Sequence, residues 1–396
     1  MKLIWLPWIF FQILIGYNLI LPVILFLLTS FKKNKSGPTE TEEGDYAIIV
    51  TAYEQADNIP EVVKSILMLN YQHYIIYIVA DKCDVSGLHF DDERVIILRP
   101  ETTLSSNTRS HFYAIKNFKR AHNRLTIIDS DNLVHPEYLN ALDYFFYRGY
   151  LAVQGIREAK NLDTAYACLD AARDIYYHFY DGKVLFKAGS SATLAGSGMA
   201  FTTALYVECL GNTDITGAGF DKVLQAAIVG RDIKIAFNEK AIVYDEKTSN
   251  TGQLVNQRAR WINTWFKYFT FGFTLLGKGV KNLSLNQFLF GIILLRPPLF
   301  IFLLLSVLCL AVNVFVSQLL VILWASGFLL FILGFYIALL KSDTDTRIYR
   351  SLVNIPKFIF FQVISLVKSR NANKRSVATA HFHATSIEQI ISNDES

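Results

Sequence analysis

The stretch LIWLPWIFFQILIGYNLILPVILFLL, residues 3 to 28, runs about 26 positions without a charge. As a tilted helix it is long enough to cross a hydrocarbon core of roughly 30 Å. It exceeds the apolar core of a secretory signal, and no small-residue cleavage site follows, so a retained anchor over residues 1–30 is expected. Lys32, Lys33 and Lys35 follow it, against only Lys2 and the amino terminus before it. The positive-inside bias therefore places residue 31 onward in the cytosol. Near the other end, PPLFIFLLLSVLCLAVNVF and LLVILWASGFLLFILGFYIALL are bracketed by Arg296 and Lys341. They read as a transmembrane hairpin over 297–341 with both ends facing the cytosol.

Two further apolar segments are short, aromatic-rich and edged with Lys and Arg: WINTWFKYFTFGFTLLGKG (261 to 279) and NIPKFIFFQVISLVKSR (354 to 370). That composition suits helices lying in the membrane interface, or buried helices of a soluble domain. The expected layout is thus a cytosolic domain over 31–260, interfacial helices over 261–296, the hairpin, and an interfacial helix with a loosely ordered tail over 342–396. Charged residues make up only 18% of the chain and apolar ones 52%, as a soluble domain set among membrane segments requires. The net charge of +4 is too small and diffuse for nucleic acid, and the basic residues gather beside apolar segments, where acidic lipid headgroups are the natural partner. Cys83, Cys168, Cys209 and Cys309 show no ligand spacing and read as reduced, buried thiols.

Between about Asp45 and Gly252 strands and helices alternate. YAIIVTAY, YIIYIVADKCD, RVIILRP and RLTIIDSD are apolar runs ending in polar residues, with the helical patterns NIPEVVKSILML and HFYAIKNFKRA among them. The result expected is an α/β fold with a mostly parallel sheet, which binds ligands beyond the carboxyl ends of its strands. Thr51, Tyr53, Glu54, Asp81, Asp129 and Asp131 all fall at such ends. Asp129 and Asp131 would repel each other unless a cation sat between them. No GxxxxGK[ST] occurs and no GxGxxG follows the first strand, which argues against P-loop and dinucleotide chemistry. A diphosphate can instead be held through Mg²⁺ or Mn²⁺ on carboxylates.

The motifs TAYEQADNIPEVVKSIL, IVADKCD, DSDNLVHPEYL, GSGMAF, GAGFDKVLQ and QRARW occur in an order that resembles membrane-bound family 2 glycosyltransferases of the cellulose synthase and hyaluronan synthase branch. The resemblance covers residues 45 to 265 and implies a GT-A fold, a Rossmann-like nucleotide-sugar-binding domain. It further implies that Thr51, Tyr53 and Glu54 border the nucleotide, that Asp81 contacts the base, and that Asp129 lies beside the sugar and ribose. Asp131 would be the metal ligand and Asp221 the general base. Gln257, Arg260 and Trp261 would line the acceptor site and hold the diphosphate, with Gly196, Ser197 and Gly198 near the acceptor. Plainer roles compete for some of these residues: a strand-end turn at Asp81, a helix N-terminal acid at Asp221, tight packing at the glycines.

Two positions depart from the family pattern. Ser110-His111 replaces a Gly-Lys pair, so that the phosphate-facing cation is Arg109 or His111 or is absent, and Phe220 replaces the acid before the base. The resemblance implies an inverting, metal-dependent transfer from a nucleotide sugar, a UDP-sugar first, to a membrane-associated glycan or lipid, with the QxxRW pattern favouring chain elongation as in processive polysaccharide synthesis. The partners expected are that donor, that acceptor, the membrane, and a second copy or an export protein, with the enzyme in the cytoplasmic membrane. The departures motivate one alternative, a catalytically inactive nucleotide-binding membrane scaffold.

Overall fold

The computed structural model describes residues 2–32, 43–370, 372–375 and 386–394. Lys33 and Lys35, part of the basic cluster expected to set topology, lie outside them, as does most of the expected loose tail.

One eight-stranded sheet organises the polar domain, in the order β3-β2-β1-β4-β7-β6-β8-β5. Its strands are β1 (Tyr46–Tyr53), β2 (Tyr74–Asp81), β3 (Val95–Leu98), β4 (Arg124–Asp129), β5 (Leu133–Val134), β6 (Ala152–Ala159), β7 (Met199–Thr202) and β8 (Ile235–Asp245). The first four in spatial order pair in parallel, and β6 pairs in parallel with β8. β7 runs antiparallel to both β4 and β6, and β5 antiparallel to β8, so four of the seven pairings are parallel and the sheet is mixed. β2 is buried at every position, as expected of a strand covered on both faces.

After β1 the chain builds outward to β2 and β3, then returns to place β4 on the other side of β1. Such a reversal opens a crevice at the carboxyl ends of the two diverging strands. Register puts Thr51 beside Asp129 and Tyr53 beside Asp81 at those ends.

Helices α1 (Lys2–Ser30), α2 (Ile59–Leu67), α3 (Asn107–Lys116), α4 (Tyr138–Phe146), α5 (Ala165–Tyr177), α6 (Leu185–Ala188), α7 (Thr203–Leu210) and α8 (Phe220–Gly230) belong to the first half of the chain. A π-helical segment, His178–Val184, joins α5 to α6. The second half adds α9 (Thr251–Tyr268), α10 (Phe271–Lys281), α11 (Leu285–Leu295), α12 (Leu299–Val314), α13 (Gln318–Leu340), α14 (Thr346–Ser351), α15 (Ile355–Lys368) and α16 (Ile387–Asp394).

Among the described residues three stretches are long and apolar enough to cross a membrane: Trp5–Ser30, Gln318–Leu340 and Thr346–Lys368. A fourth is the pair α11 and α12, bent by 74°. This revises the expected hairpin. α12 has 16 residues, about 24 Å of helix, which falls short of a bilayer core. It continues α11 across a break at Arg296-Pro297-Pro298, where two prolines lack the N–H groups a continuous helix needs. The segment expected to lie in the interface at 354–370 also forms, with α14, a stretch of spanning length. The expected boundary at residue 260 falls inside α9, which runs through it unbroken.

Buried polar contacts tie these helices together. Asn313 Nδ2 and Trp324 Nε1 both donate to Gln12 Oε1, at 2.5 and 2.6 Å, joining α12 and α13 to α1. Tyr180 Oη of the π-helical segment donates to the Gly334 carbonyl of α13 at 2.8 Å, anchoring the sheet domain to that bundle. The far carboxyl end also differs from expectation. Ile387 of α16 is fully buried, and Lys64 Nζ of α2 lies 2.7 Å from Glu388 Oε1, so this last helix docks on the sheet domain. The four cysteines are free and buried, as expected.

Candidate active site

The end of β4 carries the first acids. The Asp129 amide donates to Ser197 Oγ at 3.1 Å, and the Gly198 amide donates to the Ile127 carbonyl at 3.0 Å, so the GSGM loop is stitched onto β4 beside the DSD segment. Gly198 has φ of +65°, and a Cβ there would meet Val243 Cγ2 at 2.8 Å, so tight packing accounts for this glycine. Gly196, also left-handed at φ +91°, has open space where a Cβ would point. Lys160 Nζ donates to the Asp131 carbonyl at 3.2 Å, steadying the turn after β4.

Asp221 enters from another direction. It sits in the first turn of α8 behind a left-handed Gly219, with Lys222 Nζ 2.9 Å from its Oδ2. α9 supplies Gln257, which accepts from Thr248 Oγ1 at 3.1 Å, and Trp261. Asp129, Asp131, Gly196, Asp221, Gln257 and Trp261 all open on one cavity of about 1300 Å³.

The remaining expected residues stand outside its lining. Asp81 is buried and accepts the Leu104 and Ser105 amides at 2.9 and 2.7 Å, pinning the loop before α3. Glu54, at φ +61°, pairs with Lys82 at 2.7 Å, and Tyr53 is exposed beside it. Thr51 is half-buried next to Asp129, and Ser197 is buried beneath the loop it anchors. Arg260 is half-buried on α9, and Arg258, two residues earlier, is the arginine that faces the cavity.

The expected phosphate-facing cations need correction. His111 is fully buried, and its Nδ1 lies 2.6 Å from Tyr206 Oη. Burial pushes its pKa down to about 3, so it is neutral and faces no phosphate. Arg109 is turned to Asp214, with Nε and Nη2 at 2.9 and 2.5 Å, and borders a separate hollow. His111 also meets Phe220 edge-on at 5.0 Å. The two departures from the family pattern are therefore partners in one packing cluster, which borders the cavity through Phe220.

Sequence reasoning missed a chain of buried charges along the cavity wall. Arg157 pairs with Asp245; Lys247 bridges Asp245 and Asp174 at 3.0 and 2.7 Å; Arg173 bridges Asp174 and Asp170 at 2.5 and 3.0 Å; Asp170 then meets Arg258. The guanidiniums of Arg173 and Arg258, which share Asp170, both lie against Trp261, 4.4 and 4.1 Å from its ring centre. Burial works against the Asp245 carboxylate, but Arg157 and Lys247 outweigh it and hold its pKa at about 2. Burial and the neighbouring Arg173 bring Arg258 down to about 10. One signal was legible: Asp170, Arg173 and Asp174, at i, i+3 and i+4, share a face of a helix that also buries Cys168 and Leu169.

Among the described residues no three His, Cys, Asp or Glu side chains gather as a preformed metal site. The donor set fits a hard cation nonetheless. Asp129 and Asp131 offer carboxylate oxygens to the same cavity, and ions such as Mg²⁺ and Mn²⁺ take one or two carboxylates and complete their shell with phosphate and water.

Residues 44–264 match the profile of Glycosyltransferase like family 2. The chain belongs to that family. It is a glycosyltransferase, and its mixed sheet with flanking helices is GT-A-like. No curated protein sequence matches it. Among solved structures, the mannosyltransferase PcManGT from Pyrobaculum calidifontis, in complex with GDP-Man and Mn²⁺, aligns with a TM-score of 0.59 and 15% identity over 91% of this chain and 97% of its own. TarS residues 1–349 from S. aureus aligns with a TM-score of 0.40 and 14% identity over 83% and 90%, and in complex with UDP-GlcNAc with 0.43 and 13% over the same shares.

Proposed function

We propose that this glycosyltransferase is inverting and metal-dependent, and that it moves a sugar from a nucleotide sugar, a UDP-sugar in the first instance, to a membrane-associated glycan or lipid. The observation that carries the reading is the convergence of Asp129 and Asp131, at the end of β4, and Asp221, on α8, on one cavity with arginines in its wall.

Asp131, with Asp129 beside it, would hold a divalent ion, which when bound would supply the positive charge that neutralises the diphosphate. Arg157, at the cavity wall, faces the leaving group with fixed positive charge. Asp221 takes the proton of the acceptor hydroxyl as its oxygen attacks the anomeric carbon. The bond from that carbon to the diphosphate breaks, and the nucleoside diphosphate departs. One displacement inverts the centre, so an α-linked donor gives a β-linked product without a covalent enzyme intermediate.

The inactive-scaffold alternative loses its motive, since His111 and Phe220 pack on each other and leave Asp221 open to the cavity. The apolar helices support membrane insertion, and on this reading the sheet domain faces the cytosol, where nucleotide sugars are made. The test is nucleoside diphosphate release by the purified chain across UDP- and GDP-sugars, with Mn²⁺ and with EDTA, in the presence of a membrane lipid extract. Metal-dependent release with one donor is expected. Nucleotide binding with no turnover on any donor would revive the scaffold.

A further inference from the structure

The cavity does not stop at the acids. It continues past Trp261 to the break at Arg296-Pro297-Pro298 and on between the apolar helices, where Leu303 and Val307 of α12, Phe331, Ile332 and Phe335 of α13, and Phe358 of α15 form its walls. On α13 these positions recur three and four residues apart, so one helical stripe faces inward. From Leu299 to Val307 the lining advances eight residues along α12, about 12 Å of helix, against roughly 15 Å for one leaflet of hydrocarbon. Val307, Ile332 and Tyr336 are 53%, 49% and 44% exposed, so the apolar end opens laterally between the helices.

The polar end is built for an anion. Arg258 is 2% exposed, and its Nε and Nη1 have no hydrogen-bond partner among the described residues. Arg157 Nε, Arg173 Nε and Arg296 Nη1 are buried and unpartnered in the same way, and all four guanidiniums line this cavity. Buried donors without acceptors are rare because each has given up its water. Along the buried chain four cations, Arg157, Arg173, Lys247 and Arg258, face three carboxylates, Asp170, Asp174 and Asp245, which leaves one positive charge in excess.

We infer that the acceptor is a membrane lipid with a phosphate in its headgroup, entering sideways between α12, α13 and α15 and seating the phosphate on Arg258, Arg173 and Arg296. This deepens the transferase reading above and rests on it. Two sources share that chemistry. In a glycerophospholipid a free headgroup hydroxyl attacks the anomeric carbon and gives its proton to Asp221. In a polyprenyl phosphate an ionised phosphate oxygen attacks and no proton needs removal. In both, the carbon–oxygen bond to the nucleoside diphosphate breaks.

The full chain, reconstituted in phosphatidylcholine nanodiscs with the donor found above, is given phosphatidylglycerol, polyprenyl phosphate, diacylglycerol or soluble glycerol phosphate. One of the two phosphate lipids should raise transfer at least 10-fold over diacylglycerol and glycerol phosphate. Asp221→Asn abolishes the reaction if the hydroxyl lipid is the substrate and spares it if the phosphate is the nucleophile. Ile332→Trp, at the lateral opening, should raise the KM for the lipid at least 10-fold. Leu329→Trp, on the outer surface of the same helix and 58% exposed, should leave it unchanged. Equal use of diacylglycerol or glycerol phosphate, or an unaltered KM in Ile332→Trp, overturns the inference. A phosphate lipid with a photoreactive chain tests the site without any donor. Crosslinks on Leu303, Phe331 and Phe358 support it, and crosslinks confined to outward positions such as Leu319 and Leu329 refute it. Failure of nucleotide release with such inward crosslinks present would count against the transferase reading and leave the lipid site standing.

Discussion

Replacing Lys247 by Met probes whether the charge chain beside the acids is as dry as its geometry indicates. Lys247 is 2% exposed, with its ammonium 2.7 Å from Asp174 and 3.0 Å from Asp245. Burial favours the neutral amine, but the two carboxylates outweigh it and hold the lysine pKa above its ordinary value. Methionine keeps the apolar stem and deletes the charge. Breaking a buried pair costs about 3–5 kcal/mol. Each carboxylate keeps an arginine, Asp245 with Arg157 and Asp174 with Arg173, so the lower figure of about 3 kcal/mol applies. At about 2–4 °C per kcal/mol for a domain of this size, the thermal midpoint should fall by about 6–12 °C. Acid sharpens the test. With a folded pKa of about 2, Asp245 stabilises the wild type fully above its unfolded value of about 3.9, and that contribution is lost as pH falls from there toward 2. Without Lys247 its folded pKa rises, with Arg157 remaining as its stronger partner, and part of this contribution should be missing. Thermal unfolding in detergent, near neutrality and across an acid series, reads both effects. A midpoint within about 2 °C of wild type, with an unchanged acid profile, would show that water already screens these charges and would refute the reasoning.

Four further outcomes are expected. Asp131→Asn should abolish transfer and weaken nucleoside diphosphate binding in Mn²⁺, read by calorimetry, because an amide is a poor ligand for a hard ion. With a hydroxyl acceptor, Asp221→Asn should lower kcat by about 10² to 10⁴ while nucleotide affinity is retained, as loss of a general base does. His111, held near 3 by burial, ionises only in the unfolded chain, so it should cost stability progressively as pH falls from about 6.5 toward 3, and His111→Phe should flatten that slope in acid unfolding curves. Reporters fused after Ser36 and at the carboxyl terminus should both report the cytosol, because α16 docks on the sheet domain.

The strands around the crevice were legible in the sequence because a parallel strand buried on both faces is an unbroken apolar run, and the acids that end β1, β2 and β4 stand out against it. The apolar helices were legible for the same reason, since length and absence of charge are properties of a segment by itself. Asp129, Asp131 and Asp221 could be nominated from their motifs. What they share is decided by two elements distant in sequence, β4 and α8, and only the fold brings those acids to one cavity. Helix rotation likewise chose Arg258 over Arg260 to face it, because residues two apart point to different sides of α9. The pairing of His111 with Phe220 was invisible for a related reason: two unusual residues more than 100 positions apart read as two losses until packing shows one cluster. The broken α11–α12 pair and the docking of α16 also lay beyond local pattern. A proline pair says that a helix stops and a short amphipathic tail says that it could pack, but the surfaces they meet are set by the rest of the chain.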